Sequence, residues 1–316
     1  MQNNNEFHID WLDVIVDITH DPKKLSDGLI IYLNKDLDYD KAQQSYRSKL
    51  IESENKHKLK VKSINGKLKI SGNFYKWLYG QNITGCTSVI DLVLDVVNKF
   101  IEMHLVEPTD EQLETIKKGQ YRIFQVHIKK DIVFNNEKMA LDYLERIQKD
   151  GDYPYRKKTI YQNGVYFGQS SKRWVLGYYH KGKEIKQAKW NKCICMPKEK
   201  ALADMMIRAE IKIYPKQLTT WDLKFAWQWK DIYGIFSLFE QRLCKLRLPS
   251  FNNMVELENI MNNADKKFYT CLLTGEIDDL YSSSTIYRKK KKFMQDYNIN
   301  IDNINNKKLK GDVCKN

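Results

Sequence analysis

Tyr179 and Lys181 lie two residues apart in the stretch WVLGYYHKGKE, residues 174–184. A tyrosine beside a lysine suits attack on a phosphodiester. The phenol must give up a proton held with a pKa of about 10, and a nearby ammonium or divalent cation eases that loss and steadies the charge building on the phosphate oxygens. Histidine and glutamate are acceptable ligands for such a cation, Mg2+ or Mn2+. His127 in RIFQVHIKK (122–130) and Glu210 in IRAEIKI (207–213) are the candidates.

Strand alternation tells which of the two adjacent tyrosines is available, because successive side chains point to opposite faces. Trp174, Leu176 and Tyr178 make the bulkier, more apolar set and belong to a core. Val175, Gly177, Tyr179 and Lys181 fall on the other side, where the glycine leaves room for a ligand. In 122–130, Phe124, Val126 and Ile128 oppose Gln125, His127 and Lys129. In 207–213, Ile207, Ala209, Ile211 and Ile213 oppose Arg208, Glu210 and Lys212. If the three strands share an antiparallel sheet with helices on one face, Tyr179, Lys181, His127 and Glu210 converge on the uncovered face. Asp10, Asp13 and Asp17 in the first strand are further possible ligands, with none preferred.

The elements that would position these groups alternate in type. DWLDVIVDI (10–18) reads as a strand, and KLKVKSINGKLKIS (58–71) as a hairpin about Asn65-Gly66. Residues 87–104 open with a Thr/Ser cap and repeat apolar residues at helical spacing. A strand at 121–134, a helix at 136–149, a strand pair at 158–180, and a helix and strand at 197–214 follow. This order predicts an α+β fold: an antiparallel sheet with helices on one face, followed by a smaller, mainly helical C-terminal domain. YPKQLTTWDL (214–223) marks the expected boundary, giving domains 1–216 and 217–301 and a disordered tail, 302–316.

The chain has 316 residues, with 53 lysines and arginines against 40 acidic residues, a net charge of +13. Such a surface attracts polyanions, nucleic acid first. No apolar run of membrane-spanning length exists, so no membrane partner is expected. The N-terminus lacks the character of a signal peptide. Of six cysteines only Cys193 and Cys195 are close, which offers no four-ligand zinc site and suggests reduced thiols in a cytoplasm. Arg208 and Lys129, on the polar strand faces, are expected to contact DNA. In SSSTIYRKKKKFMQDY (282–297), Ile286, Phe293 and Tyr297 mark an apolar stripe, and Arg288, Lys289, Lys291 and Lys292 spread over the outer faces, where they are expected to meet phosphates.

Several stretches, in order along nearly the whole chain, resemble the replication initiators of filamentous phages and related plasmids, the gene II/X family. HIDWLDVIV resembles its opening strand; LKISGNFYKWLYGQNITGCTSVIDLV is similar to its Gly-Asn and Gly-x-Asn-x-x-Gly segment with the following helix. VYFGQSSKRWVLGYYHKGKEI looks like its nuclease motif, IRAEIKI its Arg-x-Glu strand, and SSTIYRKKKKFMQDYNINID its C-terminal helix. The resemblance implies that Tyr179 is the nucleophile and that Lys181 and Glu184 complete the motif, with Glu184 as a third metal ligand. At His127 the family often has an aspartate, a departure that bears on the metal.

The implied activity is rolling-circle initiation in the cytoplasm of a bacterial host. One strand of double-stranded origin DNA is nicked, its 5′ phosphate is kept on tyrosine, the free 3′ hydroxyl primes the host polymerase alongside a replicative helicase, and the ends are rejoined. The alternatives are a catalytically inactive origin-binding repressor of the same ancestry and, on charge alone, an RNA-binding accessory protein.

Overall fold

Among the described residues nine strands form one sheet in which every neighbouring pair is antiparallel. In chain order they are β1 (Phe7–Val16), β4 (Lys49–Glu52), β5 (Lys58–Ile64), β6 (Lys67–Asn73), β7 (Arg122–Val133), β8 (Lys158–Tyr161), β9 (Gly164–Phe167), β10 (Trp174–His180) and β11 (Met206–Ile213). Their spatial order is β4-β5-β6-β1-β7-β11-β10-β9-β8, and β2 (Leu29–Tyr32) and β3 (Gln43–Tyr46) form a separate pair. This computed structural model describes residues 7–33, 35, 43–187, 196–248, 262–274 and 277–297. Cys193, Cys195 and the expected tail from 302 lie outside them; Cys86 and Cys244 are free thiols.

Local chemistry accounts for the strand order. Asn65 and Gly66 both adopt positive φ, 50° and 77°, as a type I′ turn requires, and so close the β5–β6 hairpin. Alternation in β1 buries Leu12, Val14 and Val16 on one face, and a register shift against β7 between Ile9 and Trp11 lets Ile9 join them in the core. Against that face pack α2 (Val89–Glu102), capped by Ser88, and α4 (Glu137–Asp150), capped by Asn136. Val93, Val96, Val97 and Phe100 of α2 and Ala140, Leu144 and Ile147 of α4 join Ile128, Leu176, Tyr178 and Ile211 in one core. Each large apolar side chain fully buried there contributes roughly 1.5–3 kcal/mol. The expected α+β sheet with its helical layer is the fold observed.

Alternation also fails in β7, at Phe124. The β1–β7 register shifts between Asp13 and Val14, so Ile123 enters the core. Phe124, expected on the apolar face, instead lies under Lys69 and Arg122, whose cationic groups sit 5.1 and 4.7 Å from its ring. A bulge inserts one residue and flips the parity of what precedes it.

The opposite face of the sheet is not fully open. Short helices α1 (Phe74–Tyr79), α5 (Lys181–Gln187) and α6 (Pro197–Asp204) and the loop 80–88 have their own places in the fold. Ile83 and Ala203 form a small second cluster with Met206, packed by Ile185 and Leu202. Met206 shares its strand face with Arg208 and Glu210, so this cluster roofs one end of the polar face.

The chain divides into two compact units, residues 1–249 and 250–316. The boundary expected near residue 216 falls inside the first. Pro215 opens α7 (Pro215–Thr220) at a position where proline's missing N–H costs nothing, and Leu218, Leu223, Ala226, Trp229, Ile235, Phe236 and Phe239 all belong to the main core. They come from α7, a 3-10 turn at Ala226–Trp229, α8 (Ile232–Leu243) and the segments between. α3 (Asp110–Lys117) completes the first unit. The second contains α9 (Asn263–Thr274), α10 (Ile277–Leu280) and α11 (Ser283–Tyr297). Among the described residues no helix is long and apolar enough to cross a membrane.

Candidate active site

Register explains why three side chains from three strands meet. Glu210 of β11 is opposite Gly177 of β10 and Lys129 of β7, which sets Tyr179 and His127 diagonally across from it, two positions along each neighbour. The Tyr179 hydroxyl donates to Glu210 Oε2 at 2.9 Å, and His127 Nδ1 is 2.7 Å from Glu210 Oε1. The Gln125 amide nitrogen is 2.8 Å from His127 Nε2. An amide nitrogen can only donate, so Nε2 accepts and Nδ1 carries the proton given to Glu210. Trp11 stacks on the imidazole with centroids 4.6 Å apart and fixes its plane.

The electrostatics of this chain hold the proton on the tyrosine at rest. Burial, and next the Glu210 carboxylate, push the Tyr179 phenol well above its ordinary pKa. Burial works to raise Glu210 as well, but His127, Lys212 and the bond from Tyr179 outweigh it and hold the carboxyl ionised, well below its usual range. Tyr178 is only 2% exposed, with its ring edge-on to Phe167 in the core. Of the two tyrosines, parity correctly assigns Tyr179 to the polar face.

Tyr179 and Glu210 open onto a cleft of about 940 Å³. Lys212 also lines it, 3.8 Å from Glu210 Oε1. Lys212 shares the alternation of Arg208 and Glu210, which puts it on the polar face from sequence alone, although nothing in its own segment marks it for a role at the cleft. Lys181, the expected phosphate-binding group, does not line the cleft. The strand ends at His180, Lys181 begins α5, and its fully buried ammonium donates to Asn82 Oδ1 at 2.7 Å and Glu184 Oε2 at 2.6 Å. Burial and Arg208 push the Lys181 ammonium down to about 8.

Beside the tyrosine, on the same face of the sheet, lies a group of buried charges that binds one loop. Lys129, with no exposed surface, donates to the carbonyls of Asn82 and Thr84, at 2.5 and 2.7 Å, and stands 3.3 Å from Asp10. Arg208, equally buried, makes a two-pronged contact with Asp131 at 2.6 and 2.8 Å and donates to the Ile83 carbonyl at 3.2 Å. Asn82 joins Asp10 to Lys181: its amide donates to Asp10 Oδ2 at 2.9 Å while its carbonyl accepts from Lys181. Lys129 and Arg208, expected as DNA contacts, are thus internal fasteners; a side chain without accessible surface does not meet a phosphate. Buried cations need paired acceptors, and the loop carbonyls supply them. Of the first-strand aspartates, Asp10 joins this network, whereas Asp13 and Asp17 pair with Lys69 and Lys67.

A profile of the N-terminal region of the phage replication-associated protein, the gene II product, matches residues 8–232. The chain belongs to this family. It is 22% identical over 313 residues to the replication-associated protein of Enterobacteria phage I2-2, covering 94% of this chain and 90% of that one. A solved rolling-circle replication initiator protein from Geobacillus stearothermophilus is similar over 79% of this chain and 88% of its own, at 10% identity and a TM-score of 0.35.

In this member of the gene II family, the expected three-ligand metal set is assembled only in part. His127 and Glu210 meet, but Glu184 is engaged by Lys181, and no group of three His, Cys, Asp or Glu side chains suited to a metal occurs among the described residues. Both ring nitrogens of His127 are also occupied, by Gln125 and Glu210. As arranged, these residues do not fit a Mg2+ or Mn2+ ion.

The glycine motifs have structural duties. Asn73 caps α1 and Gly80 ends it at φ 74°, a left-handed position suited to glycine. Gly177 is no opening for a ligand, because the Tyr166 ring fills the space above it: an added Cβ would lie 2.5 Å from a ring carbon. Gly177→Ala is therefore expected to displace Tyr166 and cost about 1–3 kcal/mol, read as a lowered Tm.

In the second unit, Lys289 and Lys292 bind the fully buried Asp265 of α9, Lys292 at 2.7 Å, and the Lys289 ammonium lies 5.7 Å from the Phe268 ring centre. Both lysines thus hold an internal partner while keeping part of their surface exposed. Arg288 and Lys291 are exposed.

Proposed function

We propose that this member of the gene II family initiates rolling-circle replication by nicking and rejoining one strand of origin DNA through Tyr179. The observation that carries the reading is the hydrogen-bonded row Tyr179–Glu210–His127 at the mouth of a cleft. Tyr179 Oη attacks the scissile phosphorus; as the O–P bond forms, the phenol becomes acidic enough to pass its proton to Glu210. His127 orients that carboxylate and keeps it ionised beforehand. The P–O3′ bond breaks, and the leaving oxygen takes a proton from water to become the 3′ hydroxyl that a host polymerase extends while a helicase opens the duplex. Reversal by an incoming 3′ hydroxyl rejoins the strand and frees the tyrosine. Lys212 is placed to steady the phosphate oxygens; Lys181 serves indirectly by holding Asn82 and Glu184.

The test is conversion of supercoiled plasmid carrying the cognate origin to the nicked form, with Mg2+ or Mn2+ present. Origin-dependent nicking with protein left on the 5′ end is expected. Binding without nicking would make the chain a repressor of the same ancestry.

Arg288 and Lys291 are assigned to duplex phosphates. Arg288→Ala with Lys291→Ala should make the slope of log affinity against log salt shallower by about 2 units. Cleavage of a short single-stranded oligonucleotide should stay unchanged.

A further inference from the structure

Beyond Lys212, the cleft beside Tyr179 has little positive charge with which to hold a run of phosphates. The chain carries +13 overall, yet among the described residues Lys212 is the one cation lining this cleft, beside Glu210 and a Glu184 already paired with Lys181. The remaining lining is rich in aromatic and amide groups: Tyr161, Tyr166 and Tyr214 on one hand, Gln162, Asn163 and Gln169 on the other. Aromatic faces stack unpaired bases, and amides carry both a donor and an acceptor for base edges that duplex pairing would hide. Its volume, about 940 Å³, admits extruded bases and is too small for a duplex.

The wall bearing these groups is built to be rigid. Gln148 of α4 reaches the turn between β8 and β9 and donates to the carbonyls of Tyr161 and Gly164, at 2.8 and 3.2 Å. Tyr161 and Tyr166 meet edge to face, with centroids 5.6 Å apart, and Tyr166 rests over Gly177. Lys212 lies 5.6 Å from the Tyr166 ring centre, so this cation sits between the aromatic wall and Glu210. Tyr161 is 46% exposed and has a ring face to offer. A rigid aromatic surface loses little entropy on binding.

We propose that the β8–β9 hairpin is a base-binding wall that receives unpaired nucleotides next to the scissile phosphate, with Tyr161, whose hydroxyl is held by the Gln169 amide, as its principal stacking surface and Gln162 and Asn163 contacting base edges. This deepens the proposed function and rests on it for the position of the scissile phosphate. Nicking then requires local melting of the origin, because the wall accepts bases only after they leave the duplex.

The test is fluorescence anisotropy of the full chain with labelled oligonucleotide probes: an oligothymidylate about 15 nucleotides long, and an abasic strand of equal length. The base-bearing probe should bind at least about 10-fold tighter, and Tyr161→Ala should erase most of that advantage, a loss of about 5- to 100-fold. Tyr161→Phe, which keeps the ring, should retain it, and the salt slope should be the same in all three proteins, since no phosphate contact is touched. Equal affinity for the two probes, or a Tyr161→Ala variant that melts and binds like the parent, overturns the proposal. Base-dependent binding that persists without covalent capture would instead defeat the tyrosine-nicking reading and leave the wall standing.

Discussion

Tyr179→Phe is expected to abolish covalent capture of origin DNA and to leave duplex binding within about twofold of the parent, since one hydroxyl makes a small share of a polyanion interface. Phenylalanine has no oxygen to bond to phosphorus, so the loss is complete rather than graded. The fold should survive: Glu210 loses one donor but keeps its contact with His127 at 2.7 Å. Tyr178→Phe removes a hydroxyl from the core side of the same strand and should retain capture. The measurement is a denaturing gel of protein incubated with labelled single-stranded origin DNA. A shifted band persisting in Tyr179→Phe removes the nucleophile assignment; its disappearance in Tyr178→Phe, at unchanged Tm, moves the assignment one residue back.

That such an experiment can be framed from sequence follows from one regularity. Strand alternation is local, so the faces of β10 and β11, and the C-terminal half of β7, could be sorted without a structure; Tyr179, His127 and Glu210 do meet. Where the chain leaves that regularity the reading failed. Lys181 was sorted as a strand residue, but a helix starts there and turns its ammonium onto Asn82. Phe124 was missorted because a bulge is set by the register against β1, which no short window reveals.

The buried cations failed for a different reason. Lysine and arginine ordinarily mark exposed surface, and what buries Lys129 and Arg208 is a set of carbonyls at Asn82, Ile83 and Thr84, far away in sequence. Lys289 and Lys292 likewise find a partner, Asp265, on another helix, which their own segment does not reveal. Proline at 215 suggests punctuation between domains, but proline equally opens a helix, as it does in α7.

Arg208 offers the sharpest stability test of these buried charges. It has no exposed surface, holds Asp131 through two hydrogen bonds, and reaches across to the Ile83 carbonyl. Arg208→Ala strands the Asp131 carboxylate, which is only 10% exposed, in a site of low polarity and leaves a void beside it. Breaking a buried ion pair from one side costs about 3–5 kcal/mol. For a unit of this size that corresponds to a Tm lower by roughly 6–20 °C. Arg208→Met combined with Asp131→Leu removes both charges together, so neither is left unpaired, and should regain more than half of the loss. The double variant still lacks the bond to Ile83, so the loop that carries Asn82 is freed, and Asn82 is what Lys181 grips. Covalent capture should therefore remain impaired in the double variant even as its Tm recovers. Thermal unfolding followed by circular dichroism, alongside the capture gel, reads both quantities. A single variant melting within about 2 °C of the parent would show that the Arg208–Asp131 pair is not the fastener described, and a double variant with full capture would uncouple the loop from the tyrosine.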